Sequence, residues 1–135
     1  MWLEIDKSIF FAFEKNIRLC VAYNPPDNSK YCNKEFYDDI STNLIKHSNL
    51  NSPIILLGDL NSRTGELPDF EERDKNTDIN EYNDFRRTTI PTKRNNCDKQ
   101  TNAMGLKLLE LCKSHDLQII NGRTFGDEDG CFNIL

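Results

Sequence analysis

Long apolar runs are missing from this chain of 135 residues, and none approaches the roughly 20 residues of a membrane span. A secretory leader is missing as well. The N-terminus has no charged stretch followed by an apolar core, so an intracellular protein, not a secreted one, is expected. The five cysteines (Cys20, Cys32, Cys97, Cys112 and Cys131) are odd in number, scattered, and contain no Cys-x-x-Cys pair. That pattern supports neither a disulfide framework nor a zinc site, and reduced thiols of a cell interior are the expectation. Histidine is scarce: His47 and His115 lack metal-ligand spacing and read as ordinary helix-end or surface residues. Positive charge is outweighed, 17 Lys and Arg against 22 Asp and Glu, for a net charge of −5. A pI near 5.0 argues against a protein that grips nucleic acid by its overall field. An enzyme acting on phosphodiesters is not, because such sites gather carboxylates around magnesium while local basic residues touch phosphate. No internal repeat or interdomain linker is visible. At this length, 37% hydrophobic and 29% charged, the chain is one domain at most.

What is present centres on Ile54-Ile55-Leu56-Leu57-Gly58-Asp59-Leu60-Asn61-Ser62-Arg63-Thr64-Gly65. Four aliphatic residues entered through Pro53 predict a short strand buried on both faces. The run breaks at Gly58 into a turn carrying Asp59 and Asn61. Polar side chains just past the carboxyl end of a buried strand stand at the rim where α/β sheets bind ligands. Asp, Asn and Gly are also what plain turns use, so the turn alone does not separate a site from a loop.

Around this stretch, Trp2 to Ile5 alternates as a strand, and an apolar stretch from Ile9 to Phe13 is interrupted at Glu14-Lys15-Asn16 before Ile17 to Tyr23 resumes as a strand. Pro25-Pro26 stops that strand. Residues 35–49 predict an amphipathic helix on Phe36, Ile40 and Leu44. Residues 66–102 read as a long polar surface insertion, partly disordered, with Arg86-Arg87 and Lys93-Arg94 as a solvated basic cluster. Structure resumes with a helix on Met104, Leu108, Leu111 and Cys112, capped by Asn102 or Thr101. A strand over Leu117-Gln118-Ile119-Ile120-Asn121 and the turn Gly122-Arg123-Thr124 follow, and Cys131-Phe132-Asn133-Ile134-Leu135 starts another strand. The acidic loop 126–130 lacks the ligand spacing of a calcium loop.

Gly58-Asp59-Leu60-Asn61-Ser62-Arg63-Thr64-Gly65 resembles the central motif of the endonuclease/exonuclease/phosphatase superfamily, which includes pancreatic deoxyribonuclease and the abasic-site repair endonucleases. Arg63-Thr64-Gly65 is most similar to the branch of non-LTR retrotransposon endonuclease domains and their craniofacial-development-protein-like relatives. Val21-Ala22-Tyr23-Asn24-Pro25-Pro26 resembles that family's strand ending in Tyr before Pro. The segments 108–112 and 117–124 resemble the helix and strand after its insertion, so the likeness covers residues 2–132.

The resemblance implies an α/β fold: residues 1–135 as a partial domain, a fragment of the deoxyribonuclease-like four-layer α/β sandwich, with two packed sheets and outer helices. It implies a magnesium-dependent endonuclease that hydrolyses DNA phosphodiesters, with DNA as partner and no membrane. By the same likeness Asp59 accepts a proton from the attacking water. Asn61 orients that water or donates to a phosphate oxygen, and Tyr23 gives a phenolic hydrogen bond to the scissile phosphate. Arg123 and Thr124 are weaker phosphate contacts. The family's metal-binding Glu and its carboxylate-held His have no counterpart among these residues, so no certain metal ligand is assigned. Near-inactivity of the isolated fragment is expected. The alternative is a non-catalytic remnant or interaction module that keeps the scaffold. An inositol-phosphate or nucleotide phosphatase fits less well, because Arg63-Thr64-Gly65 points to the retrotransposon branch.

Overall fold

Alternation in the first residues and the aliphatic runs further on become strands β1 (Trp2–Ile5), β2 (Ile17–Val21) and β3 (Ile54–Leu57). Helix α1 spans Phe36–Ser48 and helix α2 spans Ala103–His115. This computed structural model describes residues 1–9, 13–48, 52–71 and 90–131. Among them the chain is mixed α/β, a three-stranded mixed sheet and two helices, dividing into two compact units, Met1–Asn61 and Ser62–Leu135.

In the first unit the sheet order is β1-β2-β3. β1 pairs antiparallel with β2, Leu3 opposite Leu19, and β2 pairs parallel with β3, Leu19 opposite Ile55. A parallel pair needs a crossover, and α1 supplies it. Asp38 and Asp39 lie in its first turn and Lys46 in its last, each sign at the favourable end of the helix dipole. Its buried stripe is Tyr37, Ile40 and Leu44, with the expected Phe36 half-buried and edge-on to the Tyr37 ring, 5.1 Å between centroids. His47, read as an ordinary helix-end or surface residue, packs against the Trp2 ring, centroids 4.2 Å apart and planes tilted by 38°. Its Nδ1 lies 3.0 Å from the Arg18 guanidinium, which can only donate, so Nδ1 accepts and the ring proton sits on Nε2.

Cross-strand partners share a face. Trp2, Glu4, Arg18, Cys20, Ile54 and Leu56 therefore lie towards α1, where Arg18 also pairs with Glu4 at 2.9 Å. The opposite face carries only aliphatic side chains: Leu3 and Ile5, then Ile17, Leu19 and Val21, then Ile55 and Leu57. This corrects the expectation that β3 is buried on both faces. Ile55 and Leu57 keep 39% and 43% exposure and Leu3 44%, while Ile17 on the same face is 2% exposed. The expected apolar stretch Ile9 to Phe13 lies partly outside the described residues, and its first residue closes a 3-10 turn over Lys7–Ile9.

In the second unit, α2 begins one residue after its cap. The Asn102 Oδ1 accepts from Gly105 N at 2.7 Å and from Arg63 N at 3.1 Å. Its buried residues are Met104, Gly105, Leu109, Leu111 and Cys112, with Leu108 of the expected stripe only half-buried. Asp116 closes it in a left-handed conformation, φ 53°.

Two expectations are overturned in this unit. Residues 117–121 do not form a strand. Asp69 takes the Ile119 N–H at 2.7 Å and the Arg123 guanidinium takes the Ile119 carbonyl at 2.8 Å, so side chains occupy the groups a ladder would need. Cys97 and Cys131, 34 residues apart with Cα atoms 5.2 Å from each other, form a disulfide, while Cys20, Cys32 and Cys112 are free. Spacing along the chain holds no trace of that pairing because only folding brings the two together. The strand expected to continue through 132–135 and the middle of the polar insertion, Arg86-Arg87 included, lie outside the described residues. Among the described residues, no helix is long and apolar enough to cross a membrane.

Gly58 has φ 132°, and a Cβ there would overlap the carbonyl oxygen of Ala22. Gly58→Ala should therefore destabilise the first unit by about 3 kcal/mol. Unfolding in urea, followed by circular dichroism, measures it, and an unchanged midpoint would contradict this packing.

Candidate functional site

Parallel pairing puts the carboxyl ends of β2 and β3 at the same edge of the sheet. Tyr23 and Asn24 leave β2 there, and Gly58, Asp59 and Asn61 leave β3. Backbone bonds extend the pairing past both strands: Ala22 N donates to Leu57 O and Asn24 N to Asp59 O, each at 3.0 Å. Pro25, which has no N–H, then ends the run.

Three of the residues read as site residues thus share one edge. Asp59 is exposed, and its Oδ1 accepts the Asn61 N–H at 3.0 Å, closing an Asx turn. Asn61 stands in the left-handed region at φ 47°, where a short amide is among the few non-glycine side chains tolerated. Its Nδ2 donates to the Asn24 carbonyl at 2.8 Å, tying the β3 turn to the end of β2. Tyr23 projects with 64% exposure. Asn24, fully buried, was missed by sequence reasoning. The available signal was an amide wedged between a strand end and two prolines, a position that demands backbone partners.

Chemically, the edge presents an exposed carboxylate held by a turn, a primary amide and a phenol. A carboxylate can take a proton from water, and an amide or phenol can donate to an oxyanion. Asp59 is the one carboxylate of the turn, joined by amides, a donor set short of the oxygen-rich shell that magnesium takes. Among the described residues no three His, Cys, Asp or Glu side chains gather. The residues present therefore do not fit a magnesium site by themselves.

Arg123 and Thr124 lie in the second unit. Thr124 is exposed. Arg123 is engaged inside that unit: its side chain is 2% exposed and Asp69 facing it 0%. Two parallel bonds of 2.7 and 2.8 Å join them, and Arg123 also donates to the carbonyls of Ile119 and Thr92. Burial pushes the Asp69 carboxyl up, but Arg123 and the Ile119 N–H outweigh it and hold the group below its ordinary value.

The Arg63-Thr64-Gly65 signature is also tied into this unit. Arg63 grips Asp98 through two bonds of 2.6 and 2.8 Å, which holds the Asp98 carboxyl down to about 2. Thr64 bridges to Thr101. Arg94 donates to Thr64 Oγ1 and to the Gly65 carbonyl, both at 2.9 Å, and Asn96 donates to the same carbonyl. The polar residues at the two ends of the expected insertion thus bond this unit together. Cys112 lies beside these charges; burial first, then the charge of Asp69, pushes its thiol up to about 12, so it stays protonated.

No protein-family model matches the chain, and no curated protein or solved structure matches it.

Arg123→Ala should destabilise the second unit by about 3–5 kcal/mol, because it leaves the Asp69 carboxylate buried without its partner. An unchanged urea midpoint would mean that the guanidinium is available for ligand contact after all. The acid response follows in sign. Asp69 and Asp98 ionise at lower pH in the folded chain than in the unfolded one, so their stabilisation is present above about pH 4. It is lost as pH falls towards about 2, where the Asp98 carboxyl titrates in the folded chain. Asp98→Asn should flatten part of that loss in unfolding curves between those values, and an unaltered acid limb would remove the Arg63 pair as its source.

Proposed function

We propose that the chain is an endonuclease-type phosphodiesterase domain that acts on DNA, with the edge at Tyr23, Asp59 and Asn61 as its reaction site. The observation that carries this reading is the junction of two parallel strand ends, where the Asp59 turn is bonded to Asn24. Crevices beyond the carboxyl ends of adjacent parallel strands are where open α/β sheets bind ligands. The motif likeness supplies the reaction class. Asp59 takes the proton of the attacking water, Asn61 holds that water or a phosphate oxygen, and Tyr23 donates its hydroxyl to the phosphate. A magnesium ion would need its oxygen ligands from residues outside this edge.

The fold belonging to that reading is the four-layer α/β sandwich. Its support is the aliphatic face opposite α1, the kind of surface that a second sheet packs against at about 10 Å. An intracellular location accompanies the reading. Arg123 contributes structure inside the second unit. The second reading, a non-catalytic interaction module, is favoured by one observation: the Asx turn already engages one Asp59 oxygen.

Nicking of supercoiled plasmid by the purified chain, with and without magnesium, tests the proposal. Asp59→Asn keeps the turn acceptor and removes the base, so it should lower a weak magnesium-dependent rate by about 10²–10⁴-fold. Equal nicking by parent and variant, or none by a folded parent, favours the module.

A further inference from the structure

We propose that Cys97 and Cys131 form a reversible thiol–disulfide clasp that ties the segment around Asn95 to the 122–131 loop in response to oxidation. The pair suits that role by placement. Its Cα separation of 5.2 Å lies in the range a disulfide spans without backbone movement. Both residues are exposed, whereas Cys20 and Cys112 are buried and Cys32 is half-buried elsewhere.

The register does not depend on the sulfur bond. Asn95 N donates to Gly122 O at 3.2 Å, its Nδ2 to Glu128 O at 2.7 Å, and Cys97 N to Gly130 O at 3.3 Å. Gly122 and Gly130 both lack the Cβ that would overlap the Asn95 carbonyl, which lets the two backbones approach this closely. When reduced, the two thiols are held within reach of each other by these contacts. Closure then fixes a 34-residue separation that encloses α2 and begins beside Asp98, the partner of Arg63.

The exchange needs a low-molecular-weight disulfide of the glutathione type as oxidant. One cysteine thiolate attacks a reagent sulfur, forming a mixed disulfide and releasing one reagent thiol. The second cysteine then attacks the protein-side sulfur, releasing the second reagent thiol. Two electrons pass from the cysteines to the reagent, and their two protons leave on the released thiols. An excess of reduced reagent runs the same steps backwards.

The test equilibrates the full chain in graded mixtures of reduced and oxidised glutathione, quenches with an alkylating tag under denaturant, and maps the peptides by mass. Two of the five cysteines, Cys97 and Cys131, should lose the tag together across the series and regain it on return to reduced glutathione. The melting temperature should fall on the order of 10 °C on reduction and should not respond in Cys97→Ser/Cys131→Ser. Five tagged cysteines at every ratio on a folded chain, or a crosslink through Cys20, Cys32 or Cys112, overturns the clasp. A bond that persists in excess reduced glutathione overturns its reversibility. The mass readout uses the unaltered chain, so a variant that fails to fold does not weaken the result.

Discussion

The parallel hydrogen-bond ladder between β2 and β3 is the constraint on which the first unit depends. Parallel strands cannot be joined by a tight turn, so the chain must travel the length of the sheet and return. The 13 residues of α1 do this, about 20 Å of helix at 1.5 Å per residue. The same helix covers one face through Tyr37, Ile40 and Leu44, with His47 reaching Trp2 and Arg18. Once the ladder is set, both strand ends emerge at one edge. Gly58 has to be a glycine because the β3 backbone passes so near Ala22, and Asn61 has to turn left-handed to reach the Asn24 carbonyl. The site geometry is thus a consequence of pairing direction.

The second unit rests on a different balance. Its apolar core is small, centred on Met104, Leu109, Leu111 and Cys112 of α2. Polar groups do much of the remaining joining. Asp69 and Arg123 are buried together, an arrangement that costs desolvation and holds only because each oxygen and both terminal nitrogens find partners. The geometry is specific for that reason: a planar guanidinium, a carboxylate and two backbone carbonyls admit few alternatives. That pair also takes both backbone groups of Ile119, in the middle of the expected 117–121 strand.

Periodic elements were readable from the residues alone. Both helices begin and end within about a residue of expectation, Asn102 is the cap, and the three strands stand where aliphatic alternation puts them. These features depend on side chains a few positions apart, so a local pattern suffices. The described ends of the 66–102 stretch show the opposite case. Their charges look like solvated surface one by one, yet Arg94, Asn96 and Asp98 bond to Arg63, Thr64 and Gly65 about 30 positions away. The candidate site was half legible: Asp59 and Asn61 stand out by the break after four aliphatic residues, whereas Asn24 is marked only by its place between a strand end and two prolines.

By itself the sequence determined where the two helices and the three paired strands form, which turns glycine, proline and asparagine make, and that β3 ends in an Asp-Leu-Asn turn, but not that residues 117–121 stay out of a strand. Those outcomes follow from backbone sterics and from spacings of two to four residues. Tertiary structure alone decided that β2 lies parallel beside β3, that Arg123 is enclosed by Asp69, and that Cys97 meets Cys131. Each of these joins residues 30 or more positions apart, and such a partner is selected by which surfaces and polar groups must be satisfied together once the chain is compact.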